Sequence, residues 1–370
     1  MTYADMGSHP INSTIASSSA AVEQDWKLLT TYQAKSSSQE KVYRAVNIIV
    51  LGTALYGAGA IFTGPVGLVT YAGWILGVRK IASTAIGYLV YPIAFETLLG
   101  TVNYCIKMDE MERDSLKKAG YLVKKISVYK SGIKYDAAII GHTSTIDNGK
   151  WTIHALGNGM AMECFMFETA KKNLKNKSNT LLMNGPSVCE SGGWPTRYQM
   201  GAGFEAGIQL LEHGIRATHI VMQGLSLGGG MMAEAILNHD FTEGKNRKIS
   251  YLSISDRTFS RLSTIAGDIA GSVVEGIFYV IDAELDGIGA AKKLSHLDIR
   301  QIVIQHISPD ARGSDGVIPD SPSLAHKLHQ EGGLRNKVFL ESDEIVHNGE
   351  LPRNIESKLN EELQRFFQNS

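Results

Sequence analysis

Cysteine is scarce in this chain: Cys105, Cys164 and Cys189 are the only three in 370 residues. An odd count without regular spacing argues against a disulfide framework and against a zinc site. A reducing compartment is the simpler expectation. Neither sign of charge is in excess. Lys and Arg total 36, Asp and Glu total 37, and the formal net charge is −1, so the basic footprint of a nucleic-acid binder is missing. The extreme N-terminus has no basic stretch leading into a short apolar core, which argues against a secretory signal peptide. No metal and no cofactor is expected.

A more local absence follows. Ala45 to Val78 contains no charged residue at all. As one helix it would be about 50 Å long, well beyond the roughly 30 Å hydrocarbon core of a bilayer. Gly64-Pro65 lies near its middle, so two short apolar helices are an equal alternative to one tilted span. Arg79-Lys80 follows, then a second apolar run, Ile81 to Ile106, whose one charge is Glu96 and which contains Pro92. A membrane hairpin or paired spans over 45–106 is the expectation. Buried helices, or a hydrophobic lid on a catalytic domain, remain the alternative. Residues 1–44 are rich in Ser, Thr, Ala and Gln and read as a polar mobile tail with at most one short helix near Val22 to Tyr32. This divides the chain into a tail (1–44), an apolar helical membrane-associated segment (45–107) and a catalytic domain (108–370).

From Gly120 onward strands and helices alternate. Strands are expected at Leu122–Tyr129, Ile133–Ile140, Trp151–Leu156, Thr180–Met183, Thr218–Met222, Lys248–Ile254, Ile299–Ile307 and Lys337–Glu341. Helices are expected at Ala161–Leu174, Tyr198–His213, Met231–Leu237, Ser321–Gln330 and Pro352–Phe367, and across most of Leu262–Leu297. The alternation predicts an α/β fold, a mainly parallel sheet covered on both faces.

The chemistry centres on Gly224-Leu225-Ser226-Leu227-Gly228. This G-x-S-x-G sits between an apolar β-branched run and a helical one, the strand–turn–helix context a nucleophile elbow requires. A bystander serine in a Gly-rich turn is the plainer alternative. A serine nucleophile needs a base, and the base needs an orienting carboxylate. In chain order these are expected as Ser, acid, His, on loops beyond the carboxyl ends of strands. Asp315 follows the strand ending at Ile307, and His347 follows the last strand. Asp256, at the end of the strand after the elbow, is the rival acid, although its setting also fits a helix N-cap. Asp310 and Asp343 are further candidates. His154 reads as a satisfied core residue rather than a base. The tetrahedral oxyanion needs two fixed donors: the backbone N–H of Leu227, and that of Asn158 in Gly157-Asn158-Gly159.

Together, His154 to Met160, Asn184-Gly-Pro186, Gly224 to Gly230, Ser255 to Ser260 and Asp315 to Pro319 resemble the α/β-hydrolase superfamily. More narrowly they resemble the CHLPS-type hydrolase-like proteins of intracellular bacteria. The resemblance covers about residues 120 to 370. An apolar pair ahead of such a domain also resembles animal membrane-anchored lipases of the superfamily. The resemblance implies an eight-stranded sheet and a Ser226–Asp315–His347 triad. One departure is the loop Leu156-Gly-Asn-Gly, which lacks the His-Gly pair usual there. The expectation is a membrane-attached serine hydrolase that cleaves an ester or thioester of a lipid or acyl group through an acyl-enzyme. The catalytic domain is expected in a reducing compartment, with delivery to a host cell and a bacterial or host protein partner as further expectations. A non-catalytic membrane-anchored interaction protein that keeps the hydrolase fold is the alternative.

Overall fold

A computed structural model describes residues 29–35, 77, 80–98, 103–271, 275, 278, 283–310 and 312–368. Its strands are β1 (Thr31–Gln33), β2 (Tyr121–Lys130), β3 (Ile133–His142), β4 (Lys150–Ala155), β5 (Asn179–Met183), β6 (His219–Leu225), β7 (Ser250–Asp256), β8 (Arg300–His306) and β9 (Lys337–Ser342). They form one nine-stranded sheet in the order β1-β2-β3-β5-β4-β6-β7-β8-β9. Only β3 runs against the rest, pairing antiparallel with β2 and with β5. The hairpin β2–β3 turns through Ser131 and Gly132, both at positive φ (57° and 78°), the backbone that a two-residue type I′ loop demands.

The central strands are buried on both faces. Ile220 and Met222 of β6 point into one core with Met231, Met232 and Phe204. Val221, between them, points to the other face, against Ile355, Leu359 and Phe367. This is the period-2 alternation of a strand covered on both sides. The covering helices are α1 (80–90), α2 (Pro92–Leu98), α3 (Asn103–Lys118), α4 (Met166–Lys175), α5 (Arg197–Gln209), α6 (Leu227–Asn238), α7 (Thr242–Asn246), α8 (Leu262–Ala270), α9 (Gly287–His296), α10 (Leu324–Glu331) and α11 (Arg353–Gln368).

Two expectations are corrected. The sheet has nine strands among the described residues, not eight, because residues 29–35 are not a mobile tail. Thr31–Gln33 pairs with Ser127–Tyr129 of β2. The Tyr32 hydroxyl donates to the Gln209 carbonyl, and the Lys35 N–H donates to the Gln209 side-chain oxygen. The boundary at 107/108 falls inside α3. Upstream of that boundary, Tyr91, Ile93, Ala94 and Cys105 are buried in the main core, so the second apolar run is packed into the domain rather than set apart from it. Leu262 to Leu297, read as mostly helical with glycine breaks, holds α8 and α9 among the described residues. Gly271, at φ 91°, closes the first, and the Asp286 side chain accepts from Gly289 N–H to open the second.

Helix α1 is inverted. Ser83, Thr84 and Gly87 face inward, whereas Ile81, Ala85 and Leu89 face out. A Cβ on Gly87 would overlap the Pro195 carbonyl oxygen at 1.8 Å, so α1 lies directly on the loop after β5. Among the described residues no helix is long and apolar enough to cross a membrane. The charge-free run Ala45 to Val78 lies outside the described residues except for Gly77.

Candidate active site

Strand β6 ends in a turn so tight that Ser226 sits at φ 53°, ψ −123°. L-residues rarely adopt that conformation, and structures hold it at functional turns. The flanking glycines permit it. A Cβ on Gly224 would come within 2.6 Å of Gly229 Cα, and one on Gly228 within 2.1 Å of the Ala155 carbonyl oxygen. The turn is closed on both sides of the serine. Ser226 N–H donates to the Asp256 carbonyl, and the Thr258 hydroxyl donates to the Ser226 carbonyl.

Ser226, Asp315 and His347 are brought together as expected. His347 Nε2 lies 2.9 Å from Ser226 Oγ, and His347 Nδ1 lies 2.8 Å from Asp315 Oδ2. The residues are 32 and 121 positions apart along these contacts. The two loops are also joined by backbone, His347 N–H donating to the Asp315 carbonyl at 2.7 Å. Asp315 Oδ1 accepts from the N–H groups of Val317 and Ile318. Burial opposes the Asp315 charge, but the hydrogen bonds from His347, Ile318 and Val317 outweigh it and hold the carboxyl below its ordinary pKa. Asp315 is therefore an anion at neutral pH, the state in which it orients an imidazole.

The rival acids stand elsewhere. Asp256 is not a helix cap. Its two carboxylate oxygens accept from Nε and Nη2 of the buried Arg257 at 2.8 and 3.1 Å. Asp310 is exposed and accepts from the Arg312 N–H within its own turn, and Asp343 is exposed. His154 meets the Asn173 side-chain amide at 2.8 Å, and burial pushes its pKa down to about 4. It is a neutral, satisfied imidazole, as the sequence suggests. The cysteines do not compete as nucleophiles: burial pushes Cys164 up to about 12 and raises Cys189 as well, so both stay protonated.

The loop after β4, which carries one of the two expected oxyanion donors, runs beside the serine. A Cβ on Gly157 would stand 3.6 Å from Ser226 Cβ. Leu227 opens α6, and Asn158 is exposed at the head of its loop. Neither backbone N–H is used in a hydrogen bond among the described residues. Arg257 is the site residue that sequence reasoning misses. Its Nη1 donates to the carbonyls of Val346, His347 and Gly349, contacts some 90 residues away that no local pattern reveals. Among the described residues no cluster of His, Cys, Asp or Glu is arranged to hold a metal.

The fold has solved counterparts. An alpha-beta hydrolase from Vibrio vulnificus is similar at 14% identity over 70% of this chain and 85% of its own, with a TM-score of 0.52. A Pyrococcus furiosus esterase is similar at 12% identity over 68% and 92%, with a TM-score of 0.49. At such identities the first likeness establishes the fold, the α/β-hydrolase fold, and no more. Comparison with curated protein sequences finds no match. The model of the family described as Chlamydia CHLPS protein (DUF818) matches residues 6–368, from before β1 to the end of α11, and the chain therefore belongs to that family.

Proposed function

We propose that the chain is a serine hydrolase that cleaves an ester or thioester of a lipid or acyl group. The observation that carries this reading is the continuous chain of contacts Ser226 Oγ–His347 Nε2–His347 Nδ1–Asp315 Oδ2, at 2.9 and 2.8 Å, on a strained elbow. His347 takes the Ser226 proton as Oγ adds to the acyl carbon, and the carbonyl electron pair moves onto oxygen. The N–H groups of Leu227 and Asn158 receive that oxyanion. Collapse expels the alcohol or thiol, protonated by His347, and leaves an acyl-enzyme. Water then attacks with the same base and frees the acid and Ser226. Val317 and Val346, 52% and 57% exposed, lie two residues from Asp315 and next to His347 in the chain, exposed apolar side chains on the two loops that carry the acid and the base.

Labelling by a fluorophosphonate probe, abolished in Ser226→Ala, tests the reading. A folded wild-type chain that takes no label would leave the interaction-protein alternative. Attachment to a membrane is proposed for 45–90 alone, since Tyr91, Ile93, Ala94 and Cys105 are taken up by the core, and it rests on the charge-free run Ala45 to Val78 and the outward Ile81, Ala85 and Leu89 of α1. Lysines placed at Ile49 and Leu76 should shift the chain out of the detergent-extractable fraction, each costing about 2.5–3.5 kcal/mol at bilayer depth. Identical fractionation of mutant and wild type would argue against insertion.

A further inference from the structure

The dipeptide Asp256-Arg257 is more than an internal ion pair. Arg257 is buried and held at φ 46°, a left-handed backbone that residues other than glycine adopt uncommonly. That backbone is fixed by its own N–H, which donates to the Ile304 carbonyl at 2.7 Å. One edge of the guanidinium is matched to the Asp256 carboxylate at 2.8 and 3.1 Å. The remaining nitrogen, Nη1, reaches the carbonyls of Val346, His347 and Gly349 at 2.9, 2.9 and 2.7 Å. All three belong to the short loop that carries the base. The same stretch holds the nucleophile from the other side: Asp256 O accepts the Ser226 N–H, and Thr258 Oγ donates to the Ser226 carbonyl.

We propose that Arg257, anchored by Asp256, is a positioning residue that sets the His347 loop in register with the Ser226 elbow. The inference rests on the triad reading above. Asp256 contributes twice. Its carboxylate neutralises and orients the guanidinium, and its backbone oxygen fixes the serine. A planar fork suits the task because carboxylate and carbonyls lie on different edges of one rigid group. A lysine ammonium is a point donor on a flexible stem and reproduces only part of that pattern. With the fork lost, the loop keeps its Asp315 contacts but is free to drift relative to Ser226. A displacement on the order of 1 Å at a reacting pair costs about 100-fold in rate.

The test uses the full chain, a short-chain p-nitrophenyl ester and a fluorophosphonate probe. Wild-type labelling at Ser226 comes first; its absence defeats the triad reading and says nothing specific about Arg257. With labelling established, Arg257→Lys should lower kcat about 100-fold with KM within about threefold. Its melting curve should remain cooperative, and the downfield proton resonance of His347 Nδ1–H should broaden or vanish. In Arg257→Ala, added guanidinium ion should restore part of the lost kcat. The proposal is overturned if Arg257→Lys keeps kcat within twofold of wild type. It is overturned too if activity falls only in proportion to the folded fraction, or if neither variant folds, since either result assigns the clamp to stability alone.

Discussion

Replacing Asp315 by Asn tests the geometry with a change of almost no volume. The side chain is fully buried, so water does not repair the site. Oδ1 accepts from Val317 and Ile318 N–H at 3.0 and 2.7 Å. An asparagine must keep its oxygen there and turn its NH2 toward His347 Nδ1. The imidazole then has to accept at Nδ1 and carry its proton on Nε2, where it donates to Ser226 Oγ and takes nothing from it. Flipping the amide instead leaves two backbone donors facing NH2, that of Ile318 buried and that of Val317 part-buried, at most about 1–3 kcal/mol each. That sums to about 2–6 kcal/mol, in line with the roughly 10⁴-fold loss, about 5.5 kcal/mol, seen when such an acid becomes an amide. Ester turnover in Asp315→Asn should therefore fall about 10³- to 10⁴-fold, with the urea midpoint measured alongside to confirm folding. A loss under tenfold in a folded variant would refute the tautomer argument and pass the acid role to another carboxylate.

Ser226→Ala and His347→Ala should each remove most turnover, and the double variant should lose little more, because the pair acts as a unit; multiplicative losses in ester hydrolysis would contradict this. Tyr91→Ala should cost about 3–5 kcal/mol in a urea titration, as for other large aromatic deletions, since Tyr91 is 1% exposed and its hydroxyl would lie 2.7 Å from a Cβ on Gly185. A cost under 1 kcal/mol would show that α1 and α2 are a detachable layer. Burial, opposed by Lys125, raises the Asp136 carboxyl to about 6 from 3.8. A raised carboxyl pKa favours the protonated fold, so this group's contribution to stability is fullest below 3.8 and is lost as pH climbs to about 6. Asp136→Asn should flatten that part of the stability–pH profile, and an unchanged slope would count against the assignment.

Ser226, Asp315 and His347 were legible because each lies in the segment that follows a strand, and strand ends follow from hydrophobic runs. Their order along the chain did the rest. Asp256 shows where such reasoning stops. Its position suits an acid, and only the tertiary contact with Arg257 decides that its charge is already engaged. Arg257 itself was invisible because its partners, Val346 to Gly349, are brought close by two parallel strands. Strand β1 was missed for a different reason: three residues are too few to show a period, and Thr31-Tyr32-Gln33 sits amid polar sequence. The domain boundary at 107 failed because an apolar run looks the same whether lipid or protein covers it. Tyr91, Ile93 and Ala94 are covered by protein.

Strand β1 has one consequence for handling the chain. An open sheet ends in a row of bare N–H and C=O groups, and such an edge invites pairing with a second copy. β1 covers the C-terminal end of that row, along Ser127–Tyr129, and the contacts of Tyr32 and Lys35 with Gln209 pin it to α5. A chain trimmed to begin after Lys35 would keep every residue of the site intact. It would also uncover a ready template for edge-to-edge self-association, so precipitation of such a fragment would report on its edge rather than on a failure to fold.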